Sequence, residues 1–126
     1  MKIQPVVTPK APAAIGPYSQ GIAAGELIFV SGQVPLREDG TLVAGSVAEQ
    51  TAQCLTNIRE VLLAAGLTMG AVVKTTVYMT DLGKFAEMNE VYAQRFQAPF
   101  PARATVQVSA LPKGAAIEID AVAVRS

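Results

Sequence analysis

Arg103 and Glu118 are the residues best suited to chemistry in this chain. Each stands alone in an alternating apolar run. Arg103 lies between Ala102 and Ala104 in Pro101-Ala102-Arg103-Ala104-Thr105-Val106-Gln107-Val108, and Glu118 lies between Ile117 and Ile119, just after Leu111-Pro112-Lys113-Gly114. Alternation of this kind marks a β-strand. On a half-buried strand both charges could simply face water. In a sheet covered on both faces they would be buried, and a buried charge needs a partner or a ligand. Arginine offers a planar fork of donors that matches a carboxylate. Thr105, Gln107 and Ser109 share its strand face, which makes that face polar enough to line a pocket. The plainer alternative is a structural ion pair or a rim arginine. Glutamate can orient or deprotonate water. Alternation alone does not separate that role from a solvated surface carboxylate. Burial would raise its pKa, and a nearby arginine would lower it.

Absences narrow the chemistry further. The sequence contains no histidine, which excludes histidine acid–base catalysis, Ser-His and Cys-His nucleophiles, and the usual zinc sites. It has no Gly-x-Gly-x-x-Gly and no phosphate loop. A reaction here must run on Arg, Glu, Tyr, Asn, Ser, backbone groups and water, without a cofactor. Ten acidic and ten basic residues balance to zero net charge, leaving no electrostatic footprint for nucleic acid or an anionic membrane. No apolar run reaches membrane-spanning length. Met1-Lys2-Ile3-Gln4-Pro5 lacks an apolar signal segment, and a single cysteine, Cys54, permits no internal disulfide. A cytoplasmic location is expected.

These side chains must be positioned by one domain, residues 1–126, since the chain has only 126 residues. Its hydrophobic content of 51%, against 16% charged, exceeds what a small monomer needs. Gln4 to Val7 reads as a short first strand. Pro9, Pro12 and Pro17 punctuate an extended segment that cannot be helical. Ser19–Ala24 and Leu27–Ser31 read as a hairpin around Gly25-Glu26, and 35–45 as loop. Ser46-Val47-Ala48-Glu49 fits a capping box. From there Val47, Thr51, Cys54, Leu55, Ile58, Val61, Leu62 and Ala65 follow helical spacing until Gly66. Cys54 therefore reads as packing. Ala71 to Thr80 reads as a strand. A second helix is expected over 84–96, with Phe85, Met88, Tyr92 and Phe96 on its stripe. Ala102–Ser109 and Ala116–Arg125 are the last strands.

The order β-β-β-α-β-α-β-β implies an α+β fold, a mixed sheet with two helices on one face. Yet Leu27-Ile28-Phe29-Val30 is apolar at successive positions, so both faces of that strand ask for cover. Self-association with the sheets facing inward would supply it.

The two C-terminal runs resemble the signature of the reactive intermediate deaminase (Rid, or YjgF) family, most closely its RidA branch. The likeness continues in Ala14-Ile15-Gly16-Pro17-Tyr18-Ser19-Gln20, Val30-Ser31-Gly32-Gln33, Tyr78-Met79-Thr80-Asp81-Leu82 and Met88-Asn89-Glu90-Val91-Tyr92. It spans about Thr8 to Arg125. The resemblance implies a chorismate-mutase-like fold, a homotrimer and sites at subunit boundaries. It implies that Arg103 binds the substrate carboxylate and that Glu118 acts on water. It makes Tyr18 a pocket wall, where the residues alone suggest a packed surface aromatic. Ser31, Gly32 and Asn89 join the substrate-binding set. A strand-end glycine is commonplace, however, and an amide such as Asn89 often only ties down a loop. Thr105 stands where many RidA-type members carry cysteine. Thiol-dependent behaviour is therefore not expected, whereas backbone contacts and pocket shape from Thr105 are.

Three functions follow from these readings. The first is cofactor-free hydrolysis of small 2-imino acids such as 2-iminopropanoate and 2-iminobutanoate. The second is a carboxylate-binding module without turnover, for which Glu118 is dispensable. The third, a ribonuclease or translation inhibitor, fits poorly with neutral charge and no histidine.

Overall fold

A computed structural model describes residues 2–125; Met1, the first residue of the stretch that lacks a signal segment, lies outside them. Six strands, β1 (Ile3–Val6), β2 (Gly21–Ala24), β3 (Leu27–Gln33), β4 (Val72–Met79), β5 (Ala102–Gln107) and β6 (Ile117–Val124), form one sheet in the order β1-β2-β3-β6-β4-β5. Helices α1 (Val47–Ala64) and α2 (Phe85–Arg95) complete the expected α+β architecture. β4 and β5, joined through α2, are parallel, and every other pair is antiparallel. The last strand, β6, inserts between β3 and β4 and so sits at the centre of the sheet.

Local chemistry sets the boundaries. Ser46 caps α1: its hydroxyl accepts from the Glu49 amide while the Glu49 side chain returns to the Ser46 amide. Gly66, at φ +80°, ends the helix as only glycine does comfortably. Gly25, at φ +62°, turns the β2–β3 hairpin in two residues. β3 runs through Gln33, two residues past the expected end at Ser31, so Ser31 and Gly32 lie inside the strand rather than at its terminus. β5 stops at Gln107, short of Ser109.

Both helices pack on one face. Ile28 and Val30 of β3, Val77 and Met79 of β4, and Ile117, Ile119, Ala121 and Ala123 of β6 meet Cys54, Leu55, Ile58, Val61 and Leu62 of α1, and Met88 and Tyr92 of α2. Burying these side chains contributes roughly 1.5–3 kcal/mol each for the larger ones, set against chain entropy. Cys54 is fully buried in this layer, and burial pushes its thiol pKa up, with the Glu118 charge adding to the rise. It is a core residue.

The opposite face carries neither helix. The alternation of β3 turns Leu27 and Phe29 to that side, where they are 39% and 43% exposed, and Val106 of β5 is 40% exposed. The segment before β2 is extended and held by one side chain. Buried Gln20 accepts from the Thr8 amide at 2.8 Å, and its amide nitrogen donates toward the carbonyls of Thr8, Ala11 and Pro12 at 3.1, 3.3 and 2.8 Å.

Candidate active site

Arg103 lies on the edge strand β5, in register with Thr75 of the parallel neighbour β4. Thr75 is fully buried and shares a 2.8 Å hydrogen bond with the Tyr92 hydroxyl of α2. Arg103 therefore points to the helix-covered side of the sheet. Its guanidinium sits 4.7 Å from the centre of the Tyr92 ring and 5.4 Å from that of Phe85, a cation–π arrangement. One Nη1 donates to Asn89 Oδ1 at 2.7 Å. Asn89 thus ties down an arginine rather than a loop. Among the described residues, Arg103 forms no ion pair and no other side-chain hydrogen bond. A cleft of about 340 Å³ opens beside it, lined by Asn89, Tyr92, Ala93, Phe100 and Pro101.

Thr105, two residues on, shares this face. Its hydroxyl oxygen is buried and finds no hydrogen-bond partner among the described residues. Gln107 is drawn off instead to the loop before α2, where its side-chain oxygen accepts from the Leu82 amide at 2.8 Å.

Glu118 faces the other way. It pairs in register with Tyr78, whereas its neighbours Ile117 and Ile119 enter the core. It lines a second cleft, of about 460 Å³, together with Ile15, Tyr18, Gly32, Pro112 and Lys113. Burial raises its carboxyl pKa above the ordinary 4.5, and the negative charge of Asp120 on the same strand face adds to the rise. Asp120 is itself engaged by the Tyr78 hydroxyl at 3.1 Å and the Thr76 amide at 3.2 Å. The residues alone gave no sign of this pair, because a second acidic position two along a strand is ordinary in a solvated face.

Gly32 explains how the carboxylate fits. A Cβ built there would collide with the Glu118 carboxylate, lying 2.9 Å from its Cδ. The glycine is required by close approach and not by its backbone angles. Ser31 donates to the Ser19 carbonyl at 2.6 Å, which fixes the loop that carries Tyr18. Tyr18 is 54% exposed at the cleft mouth.

The expected site residues thus fall into two groups. Tyr18, Gly32 and Glu118 share one cleft, with Ser31 behind them. Arg103 and Asn89 line another, and Thr105 lies on the same strand face without lining it. The faces of the sheet separate the two groups within a single chain.

The profile of the Endoribonuclease L-PSP family matches residues 8–125. The chain is 52% identical over 121 residues to the 2-iminobutanoate/2-iminopropanoate deaminase of Bos taurus, covering 95% of this chain and 88% of that one. It belongs to the Rid family. The Homo sapiens protein of the same name is 50% identical over the same length, again covering 95% and 88%. The crystal structure of E. coli TdcF with bound serine superposes with a TM-score of 0.93 at 45% identity, covering 98% of this chain and 99% of that one. The Rid family chain described here shares their fold from β1 to β6.

The cleft geometry carries a direct expectation. Gly32→Ala displaces only the end of a flexible side chain, so the protein should fold with a melting temperature close to that of the parent. The Glu118 carboxylate should be forced off its position, and whatever activity depends on it should fall about tenfold or more. Thermal denaturation and turnover measured together check this; unchanged turnover would mean that Glu118 has no positional role.

Proposed function

We propose that this protein hydrolyses small 2-imino acids, 2-iminopropanoate and 2-iminobutanoate among them, to 2-oxo acids and ammonia. The observation that carries the reading is Arg103: a guanidinium stacked between two rings, braced by one amide, with its remaining donors unclaimed among the described residues. Such a fork suits a substrate carboxylate. Relatives about half identical over nearly the whole chain, named for this activity, support the same substrate class.

The chemistry is modest. Glu118, as carboxylate, accepts a proton from water as the oxygen bonds to the imine carbon. The C=N π pair moves to nitrogen, which takes up a proton. Glu118 returns its proton to the amino nitrogen of the carbinolamine, and ammonia leaves as the hydroxyl proton passes to the freed carboxylate and the carbonyl forms. A carboxylate with a raised pKa is better matched to passing protons near neutrality than an ordinary one. Imines hydrolyse unaided, so positioning and charge stabilisation suffice. Tyr18 walls the substrate, and Thr105, whose hydroxyl is buried, shapes the floor beneath Arg103.

Arg103 and Glu118 reach the same substrate only if two copies contribute. The Arg103 cleft of one copy would meet the Glu118 cleft of the next, which is a head-to-tail contact. Contacts of that kind form rings where the rotation closes, and the resemblance to the family supports a ring of three. Exposed Leu27, Phe29 and Val106 on the helix-free face would be covered in the same assembly. The single buried thiol fits the reducing cytoplasm expected from the sequence. The endoribonuclease reading rests on the family's description alone. Neutral net charge and the lack of histidine leave it without the broad basic footprint of a nucleic-acid binder and without an imidazole acid–base pair.

Light scattering after size exclusion is expected to give a trimer; a stable monomer would remove the shared site. Imine generated by an amino-acid oxidase and trapped with semicarbazide reads the activity. Arg103→Lys keeps the charge and loses the parallel donors, so efficiency should fall roughly ten- to a hundredfold with little change in melting temperature. Full activity with a lowered melting temperature would make Arg103 structural.

Glu118→Gln should slow turnover while binding persists. The native carboxyl binds its proton more tightly than the unfolded one, so its ionisation costs stability as pH rises through the raised pKa. Gln at this position should therefore leave the melting temperature at neutral pH equal or higher. Parent activity should decline as pH falls through the same raised pKa. Equal turnover in Glu118→Gln would place the water on another group; no turnover in the parent would favour the binding-module reading.

Mixing the impaired Arg103→Lys and Glu118→Gln variants tests the shared site directly. After subunit exchange, about a quarter of the boundaries in a random ring pair an intact Arg103 with an intact Glu118. Activity should reappear to that extent; none would place both residues in one chain's site.

A further inference from the structure

A pair of arginines lines a third cleft, outside the two described above. Arg59 of α1 and Arg95 of α2 line one cleft of about 500 Å³, whose walls include Leu63, Met69, Val72 and Phe96. Its volume is within the range of about 300–1,000 Å³ typical of small-molecule sites. Segment 97–101, which closes one side, also borders the Arg103 cleft through Pro101.

Arg59 is exposed and Arg95 part-buried, and among the described residues neither has its terminal guanidinium nitrogens matched by a carboxylate. Arg95 is part-buried and its Nη1 donates to the Thr56 hydroxyl at 3.2 Å; among the described residues no carboxylate lies within ion-pair distance of it. Arg59 uses Nε on its sequence neighbour Glu60 at 3.2 Å, which leaves the two terminal nitrogens of its fork without a carboxylate. Burial lowers the Arg95 pKa, and the like charge of Arg59 lowers it further. Two cations that repel across an apolar cleft are stabilised together by one anion between them.

We propose that this cleft binds a small organic anion, an oxyanion head held by Arg59 and Arg95 with an apolar body laid against Leu63, Met69, Val72 and Phe96. Carboxylate and phosphate heads share the chemistry that two guanidinium forks recognise. An ion alone would leave the apolar wall unused, and an uncharged body would leave the arginines uncompensated.

The assembled protein can be titrated with hydrocinnamate, phenyl phosphate, and benzyl alcohol as the neutral control, with binding followed by NMR and calorimetry. One or both anions should bind, shifting amides of residues 68–72 and 95–100, and the tighter of the two identifies the preferred head. Benzyl alcohol should bind at least about tenfold more weakly. Arg95→Gln should weaken anion binding about ten- to a hundredfold. Arg59→Gln, on an exposed side chain, should weaken it in the same direction and guards against loss of fold in the first variant. Arg103→Gln should leave it unchanged. Absence of binding by either anion at millimolar concentration would overturn the proposal. So would binding equal to that of benzyl alcohol, or binding lost with Arg103 and kept without Arg59 and Arg95.

Discussion

The phase of two strands governs this molecule. A sheet with helices on one side has a dry face and a bare face, and alternation assigns every side chain to one or the other. Along β6, Ile117, Ile119, Ala121 and Ala123 take the dry face, so Glu118 and Asp120 must take the bare one. Along β5, register with β4 puts Arg103 and Thr105 on the side of the helices. A one-residue slip in β6 would carry Glu118 and Asp120 into the core, whereas β5, which gives no side chain to the core, is held in phase by its register with β4. The core therefore fixes the side of the acid, and strand pairing fixes the side of the cation.

Much of the architecture could be read from residues. The capping box at Ser46, the spacing from Val47 to Leu62 and the stop at Gly66 place α1 almost to the residue, because each rests on local backbone chemistry. The Gly25-Glu26 hairpin is equally local. Strand ends were less legible: β3 outruns Ser31 and β5 falls short of Ser109, since pairing with neighbours and not propensity decides them.

The candidate site was half legible. Residue type and family likeness picked out Arg103, Glu118, Tyr18 and Gly32. Alternation gives a period for each strand but no phase between strands far apart in sequence, so the opposite facing of Arg103 and Glu118 could not be seen. Partnerships across elements were hidden for the same reason. Nothing in Met88-Asn89-Glu90 shows that Asn89 braces an arginine fourteen positions on. Nothing in Val30-Ser31-Gly32 shows that the serine ties a loop while the glycine makes room for a carboxylate.

The lacing of the N-terminal segment by Gln20 bears on how tightly a small ligand can be held. A ligand with only a handful of heavy atoms gains at most about 1.5 kcal/mol from each, and ordering a loose wall would consume much of that. Here one buried amide secures Thr8, Ala11 and Pro12 as part of folding. Pro12 and Ala13 then stand beside Ile15 and Tyr18 as a wall already in place. The entropy of ordering that wall falls to the folding of the domain, so a small ligand entering this cleft does not have to order it again.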